Sequence, residues 1–325
     1  AGAVLRAIET GKPTIIVNAE LDSLIGPLLN AKARYAGVVL THTDGDEPGV
    51  AMTLIRYLQT LGLEIVAAGN IKGMVDHYRT PETQRAFAAR YDQDVRKVTS
   101  FADATKLSME TTVLANATGF GVAKRGMCGP ACDYVRELAT LLPPEAMLDG
   151  GIVDYSVGAA PHTGAFAVVH ETNPLKQAQL AYYKLGDGPF YVFYTPFHLP
   201  HLQIPATIAR AVIHRDATVA PLAGPSCEVL TTAKRDLKVG EKLDGIGGFT
   251  AYGLIDNSST ARAINALPIA LSEDCVLVHD IRKDNVIGFE DVKMPPARLS
   301  DRLWEEQRRR WSSDSERTSR VASQG

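Results

Sequence analysis

Titratable side chains follow three short apolar runs near the start of this 325-residue chain. The runs, at 14–17, 37–41 and 64–68, are rich in β-branched residues, which is typical of buried strands in a parallel sheet. In such sheets ligands bind outside the carboxyl ends of the strands, so we look for chemistry there first. The residues at these ends are Asn18 and Glu20 after the first run, His42, Asp44, Asp46 and Glu47 after the second, and Lys72 after the third.

A second group of candidates lies in a segment from Asp103 to Gly119 that is predicted to be mostly helical. Lys106 and Glu110 are four residues apart and therefore share one face of this helix. Two interpretations are open. The two side chains could form a surface ion pair worth a few tenths of a kcal/mol. If the helix borders a cleft, Lys106 could instead act as an acid or base, or polarise a carbonyl group.

Histidines mark a later, strand-like segment at 151–197 and the loop after it. His198 and His201 flank Pro200 and could bind an anionic substrate, or they could be hydrogen-bonded residues with a structural role. His162 is a further candidate for binding substrate. Cys128 and Cys132 have three residues between them, which is not the spacing of a CxxC metal or redox pair. Free thiols of a cytoplasmic protein are the interpretation we favour for them.

The elements that must position these residues alternate between helix and strand. One helix is predicted before the first strand, at 2–10, and two helices are predicted between the strands, at 22–35 and 48–61. This alternation of helices and buried strands indicates a doubly wound α/β domain. Segment 151–197 is expected to form an open antiparallel sheet in an α+β domain. We place domain boundaries at 1–73, 74–225 and 226–297, with a flexible tail at 298–325 that is rich in charge and serine.

Composition excludes several classes of protein. The 34 basic and 37 acidic side chains give a net charge of −3, without the basic excess of a nucleic-acid-binding protein. No apolar run approaches the ~20 residues of a membrane span. The chain does not begin with Met, and its first residues read like the middle of a helix, so we expect a segment before Ala1 to be missing. No G-x-G-x-x-G turn follows any of the three strands.

The segment after 226 resembles a SAF domain, a small all-β fold of the β-clip type. The resemblance rests on TAKRDLKVGEKLD, on ALPIAL and on the ending DIRKDNVIGFEDV. With GKPTIIVNAELDSLIGPLL, ADATKLSMETTVLANATG and GPFYVFYTPFHL, the whole chain resembles homoserine-dehydrogenase-like NAD(P)-dependent oxidoreductases that carry a C-terminal SAF domain, the deoxyxylulose-phosphate reductoisomerase-like family. This resemblance implies the C-terminal half of a Rossmann-like domain, a substrate domain and a SAF domain.

The resemblance also implies roles for individual residues. Asn18 and Glu20 would lie beside the nicotinamide of NADP or NAD. Lys106, Glu110 and Asp103 would be catalytic, with Lys106 transferring a proton or stabilising an oxyanion. His42, Lys72, His162 and His198 would bind substrate. Asp44, Asp46 and Glu47 could hold Mg²⁺ or Mn²⁺, although Asp46 could instead simply cap the helix that follows.

The predicted protein is therefore a cytoplasmic homo-oligomer that oxidises or reduces a small polar hydroxy or keto substrate, with phosphorylated compounds included. It has no nucleic-acid or membrane partner. Two alternatives stay open: a carbohydrate-binding protein that depends on its SAF domain, and a sugar-acid lyase that needs no cofactor. Binding of a nicotinamide cofactor would separate the first prediction from both.

Overall fold

A parallel pair of short strands opens the fold. The computed structural model describes the backbone of residues 1–322 and the surroundings of side chains up to Trp311. Strand β1 pairs in parallel with β2, with Ile16 opposite His42. Helix α2 begins where the side chain of Asn18 accepts a hydrogen bond from the backbone N–H of Leu21, which is the usual N-cap interaction. The elements are α1 (Gly2–Glu9), β1 (Thr14–Ile16), α2 (Ala19–Tyr35), β2 (Leu40–His42) and α3 (Glu47–Thr60).

The third predicted strand does not join this pair. Strand β3 (Glu64–Lys72) lies inside a separate four-stranded mixed sheet with the order β4-β3-β5-β6. It is parallel to β4 and antiparallel to β5, and β5 is antiparallel to β6. The prediction that β3 extends the first sheet was wrong, because β4 and β5 occupy both of its edges. The partner strands are β4 (Ile152–Val157), β5 (Ala165–His170) and β6 (Phe190–Thr195).

Helix α6 (Thr105–Thr118) is the central helix of the molecule. It packs against α2, α3 and two later strands, and most of its residues are buried, including Leu107, Met109 and Leu114. Polar residues on such a helix must find partners inside the protein. The other helices of this part are α4 (Pro81–Arg90), α5 (Val95–Ala102), α7 (Leu138–Leu141), α8 (Pro144–Leu148), α9 (Pro174–Tyr182) and α10 (Ile204–Ile213).

The C-terminal part combines short strands and turns with one short helix and one long helix. Its longest strands, β7 and β8, pair antiparallel with Cys227 opposite Asn257. Its core is continuous with that of the first part, because Ile25 and Leu29 of α2 pack in the same cluster as Leu237 and Leu277. The elements are β7 (Cys227–Ala233), β8 (Ala251–Asn257), α11 (Ser258–Ala263), β9 (Val276–Leu277), β10 (Val292–Lys293) and α12 (Leu299–Ala322).

Helix α12 replaces the flexible tail that we expected at 298–325, of which 323–325 lie outside the described residues. Leu303 and Trp304 are buried in the core shared with α2. The amide of Gln307 accepts from the N–H of Leu28 at 3.0 Å and donates to the carbonyl of Leu24 at 2.8 Å. Gln307 thereby hydrogen-bonds one N–H and one carbonyl group in the helical turn that contains Pro27. The ring of Pro27 disturbs regular hydrogen bonding in α2. The prediction of a flexible tail was wrong for residues 299–311. Charged residues there alternate along the sequence with the residues that form the buried face of α12.

None of the described helices is both long enough and apolar enough to cross a membrane. All four cysteines are free thiols, as predicted.

We predict that Gln307→Ala lowers the free energy of unfolding by about 2–4 kcal/mol, because two buried backbone groups lose their partner. Glu306→Ala is the matched control, since its carboxylate makes a half-exposed ion pair with Lys32 at 2.6 Å. That control should cost less than about 1 kcal/mol. Urea unfolding followed by circular dichroism measures both, and equal losses would contradict the role of Gln307.

Candidate active site

The ammonium group of Lys72 joins three elements at the end of β3. Its Nζ donates to Oε1 of Glu47 at 2.6 Å and to Oε2 of Glu110 at 3.3 Å. Glu47 is the first residue of α3, and Glu110 lies in the middle of α6. Asn70, two residues before Lys72, donates to the same Oε2 of Glu110 at 2.9 Å. The carboxylates of Glu47, Glu110 and Asp46 offer oxygens within 4.8 Å of one another, so acidic groups are concentrated here.

His42 is enclosed between two aspartates. Its Nδ1 lies 2.9 Å from Oδ2 of Asp22, and its Nε2 lies 2.9 Å from Oδ2 of Asp46. Burial alone would lower the pKa of His42, but the two hydrogen-bonded carboxylates outweigh it and raise the pKa to about 9. The imidazole is therefore charged near neutral pH and donates from both nitrogens. The expectation that His42 binds substrate was wrong, because its side chain is fully buried and both nitrogens are occupied.

Asp46 is the N-cap residue of α3 by position, but its side chain makes no capping hydrogen bond. It faces His42 instead. Burial favours the protonated form of Asp46, yet the hydrogen bond from His42 holds its pKa well below the usual range. Asp46 therefore contributes a fixed negative charge to the site.

Lys106 lies on α6 one turn before Glu110, with 13% of its side chain exposed. Its Nζ is 3.6 Å from Oε1 of Glu20. Burial opposes the charged form, but the charges of Glu110, Glu20 and Asp46 raise the pKa of Lys106 above its usual value. The surface-pair interpretation of Lys106 and Glu110 was wrong, because Glu110 is buried against Lys72 and Asn70.

Glu110 has a pKa far above its usual value. Burial, then the negative charge of Glu47, raise its pKa to about 8, against the opposing charge of Lys72. At neutral pH the side chain consequently holds its proton much of the time. A protonated carboxyl group and a charged lysine on one helix face can both supply protons to a substrate oxygen.

His198 reaches the site from the loop after β6. Its Nε2 is 3.6 Å from Oε1 of Glu47, and its Nδ1 is 3.1 Å from the hydroxyl of Thr163. His162 is exposed beside Gly73, and no described hydrogen bond or ion pair joins it to the carboxylates. The structure therefore brings His198 into the cluster and leaves His162 outside it.

Two acidic residues that were expected in the site have other partners. Asp103 is fully buried and pairs with Lys234 at 2.9 Å, so it does not face the cluster. Burial raises the pKa of Asp103 against the opposing charge of Lys234. Asp44 lies 3.5 Å from Arg210. Glu110, rather than Asp44, joins Asp46 and Glu47 in the group of close carboxylates.

The remaining predicted residues lie at the start of α2. Asn18 caps this helix with its side-chain oxygen, while Glu20 points to Lys106. We assigned no role to Asp22 or Asn70, although both are buried within the cluster. The sequence offers a signal for Asn70, a single polar residue among apolar neighbours in β3, but none for Asp22, which lies between Glu20 and Ser23 in α2.

Comparison with known families gives one match, which covers most residues of this region. Residues 45–204, just under half of the chain, match the family model described as the catalytic domain of oxidoreductase DRL. No curated protein matches the chain. The matched range contains Glu47, Lys72, Lys106, Glu110 and His198. The chain therefore carries an oxidoreductase catalytic domain.

We predict that His42 makes the stability of the protein depend on pH. Its pKa is about 6.5 in the unfolded chain and about 9 in the folded one, so its contribution of about 3 kcal/mol is complete below pH 6.5 and is lost as pH rises through 9. Urea unfolding between pH 6 and about 9.5 should show this loss in the native protein and in the exposed-histidine control His214→Asn. His42→Asn should lose the part of this slope that extends through pH 9, while the part caused by Glu110, whose pKa is raised to about 8, should remain. A slope through pH 9 that is as steep in His42→Asn as in the native protein would show that His42 does not cause it.

Proposed function

We propose that the protein is an NAD(P)-dependent oxidoreductase that acts on a small polar hydroxy or keto substrate, phosphorylated compounds included. The observation that carries this proposal is the presence of Lys106 and Glu110 on one buried helix face, inside the matched oxidoreductase domain. Lys106 is charged and partly exposed, and Glu110 holds a proton near neutral pH. Carbonyl reduction needs both electrostatic stabilisation of the oxygen and a proton for it.

In the direction of reduction, the nicotinamide supplies a hydride to the carbonyl carbon when it is bound. The C=O double bond becomes a single bond, and its electron pair moves to oxygen. The ammonium of Lys106 donates a hydrogen bond to this oxygen and then its proton, which completes the alcohol. Glu110 can return a proton to Lys106, since its own pKa of about 8 keeps it protonated near neutral pH. Oxidation of an alcohol follows the same steps in reverse.

The described residues fit the reacting end of a nicotinamide site only. Glu20 follows β1 and lies 3.6 Å from Lys106, so the end of β1 and the proton donor are adjacent. Neither β1 nor β2 leads into a glycine-rich turn that would bind a pyrophosphate. We therefore assign no residue of this chain to the phosphates or to the choice between NAD and NADP.

A divalent cation fits the same cluster by charge. Five carboxylates surround three cationic side chains, so a net negative charge remains when all are ionised. We propose that Asp46, Glu47 and the ionised form of Glu110 would hold Mg²⁺ or Mn²⁺, since both prefer carboxylate oxygens. A bound ion would displace the proton of Glu110, so Glu110 would return a proton to Lys106 only when no ion is bound. Such an ion supplies Lewis acidity toward a substrate carbonyl.

We predict that Lys106→Ala abolishes turnover, with a loss of at least ~10³-fold, because the proton donor is missing. The fold should stay intact by circular dichroism. Lys97→Ala, which removes an exposed lysine of the neighbouring helix α5, should keep full activity. The assay follows nicotinamide absorbance with a panel of hydroxy and keto acids and their phosphorylated analogues. Near-normal activity of Lys106→Ala would remove this residue from the mechanism.

The cofactor itself is tested by fluorescence titration of NADH and NADPH with the protein. Binding of either is expected. No binding of either would overturn the oxidoreductase proposal in its NAD(P)-dependent form. Turnover of a sugar acid without cofactor would instead favour a lyase.

For the cation, we predict that Glu47→Gln weakens Mn²⁺ binding at least about tenfold, measured by electron paramagnetic resonance, because one of three oxygen ligands loses its charge. Asp44→Asn is the matched control, since Asp44 pairs with Arg210 instead of facing the cluster. Its affinity should equal that of the native protein. Equal weakening in both variants would argue against the proposed ligand set.

A further inference from the structure

The most deeply buried ion pair described in this protein lies outside the cluster of carboxylates. Asp103 and Lys234 have side-chain exposures of 0% and 3%, and Oδ2 and Nζ are 2.9 Å apart. The ammonium of Lys234 also donates to the backbone carbonyls of Arg79 at 2.7 Å and Gly248 at 2.9 Å. An ammonium has three N–H donors, so these three acceptors use all of them.

The three acceptors belong to different parts of the chain. Asp103 lies two residues before the start of α6 and also accepts a hydrogen bond from the N–H of Thr105, at 2.9 Å. Arg79 belongs to the segment between Lys72 and α4. Gly248 lies in a turn of the C-terminal part. One ammonium thus joins the helix of Lys106 and Glu110, the segment after Lys72, and the C-terminal part.

A second set of contacts holds the start of α6 against β8. The N–H of Gly253 donates to the hydroxyl of Thr105 at 2.8 Å, and the hydroxyl of Ser108 donates to the carbonyl of Gly253 at 3.0 Å. A Cβ atom on Gly253 would approach Val229 to 2.7 Å, so only glycine allows this close packing. These contacts and the ion pair act on the same turn of α6.

The backbone between the two sets of contacts is strained. Ala104 has a φ of 68°, a left-handed conformation that is uncommon for residues other than glycine. Such a conformation persists only where the surroundings hold it. Two contacts hold Ala104 in this conformation. One is the ion pair of Asp103 with Lys234, and the other is the hydrogen bond between Thr105 and Gly253. The start of α6 therefore has its position imposed by the C-terminal part.

We propose that Lys234 is a positioning residue of the active site, which holds the start of α6 so that Lys106 stays beside Glu20 and Glu110 stays beside Lys72. The inference rests on the proposed function in one respect, namely that Lys106 is the reacting lysine. Lys234 lies on the far side of Asp103 and touches no residue of the cluster in the described contacts. Its effect passes through the backbone of α6.

The test measures the environment of Lys106 directly and needs no substrate. Lysines of the whole protein are acetylated with acetic anhydride over a range of pH, and the extent at Lys106 is read by peptide mass spectrometry. In Lys234→Met the rate at Lys106 should rise at least about tenfold at one pH, with the midpoint of its pH profile lowered by about one unit, because the helix no longer holds it among the carboxylates. Lys242→Met is the matched control, since it removes an exposed ion pair with Asp274 from the same part of the chain.

Thermal unfolding confirms that each variant is folded before labelling. If Lys234→Met is not folded, the variant Asp103→Leu with Lys234→Met takes its place, because it leaves no unpaired buried charge. A labelling profile of Lys106 like that of the native protein, in whichever of these variants is folded, would overturn the positioning role. If labelling changes as expected while Lys106→Ala keeps its turnover, Lys234 positions this lysine but the catalytic assignment of Lys106 fails.

Discussion

Two buried carboxyl groups approach each other at Glu47 and Glu110, and the ammonium of Lys72 lies against both of them. Without that ammonium, Glu47 would lose its ion-pair partner and Glu110 would hold its proton still more tightly, at the junction of α3 and α6. The pairing therefore fixes the end of β3 relative to both helices. Strand β3 can meet this requirement because β4 and β5 hold it on both edges, so its last residue has a fixed position. The sheet, the two helices and the site are arranged around this one contact.

Charge is distributed over the cluster so that its members take different roles. His42 lies between Asp22 and Asp46 and keeps Asp46 ionised. The negative charge of Glu47 in turn makes Glu110 hold its proton more tightly. Chemically similar carboxylic acids thus differ in charge, because Asp46 stays ionised and Glu110 holds its proton. Burial raises the pKa of both groups, but His42 outweighs burial at Asp46, whereas the charge of Glu47 adds to it at Glu110.

The C-terminal part helps to hold two helices, α2 and α6, in their positions. Its core is shared with α2, and its α12 supplies a side-chain amide to the backbone of that helix. Through Lys234 and Gly253 it also holds the start of α6. The boundaries at 73 and 225, which follow changes in the pattern of helices and strands, therefore separate segments whose hydrophobic cores are continuous. Such long-range contacts leave no periodic pattern in either partner segment.

The sequence by itself determined the elements and the candidate chemistry. β-Branched runs marked the first three strands, helical spacing placed Lys106 and Glu110 on one face, and the residues after the strands included Glu47 and Lys72. Only the tertiary structure decided which strands pair, because a strand's own residues do not specify what occupies its edges. It also decided that Glu110 joins the carboxylates while Asp103 pairs with Lys234, since nearby positions on one segment point to different neighbours. Side-chain type is local information, whereas burial and charge partners arise only when distant segments meet.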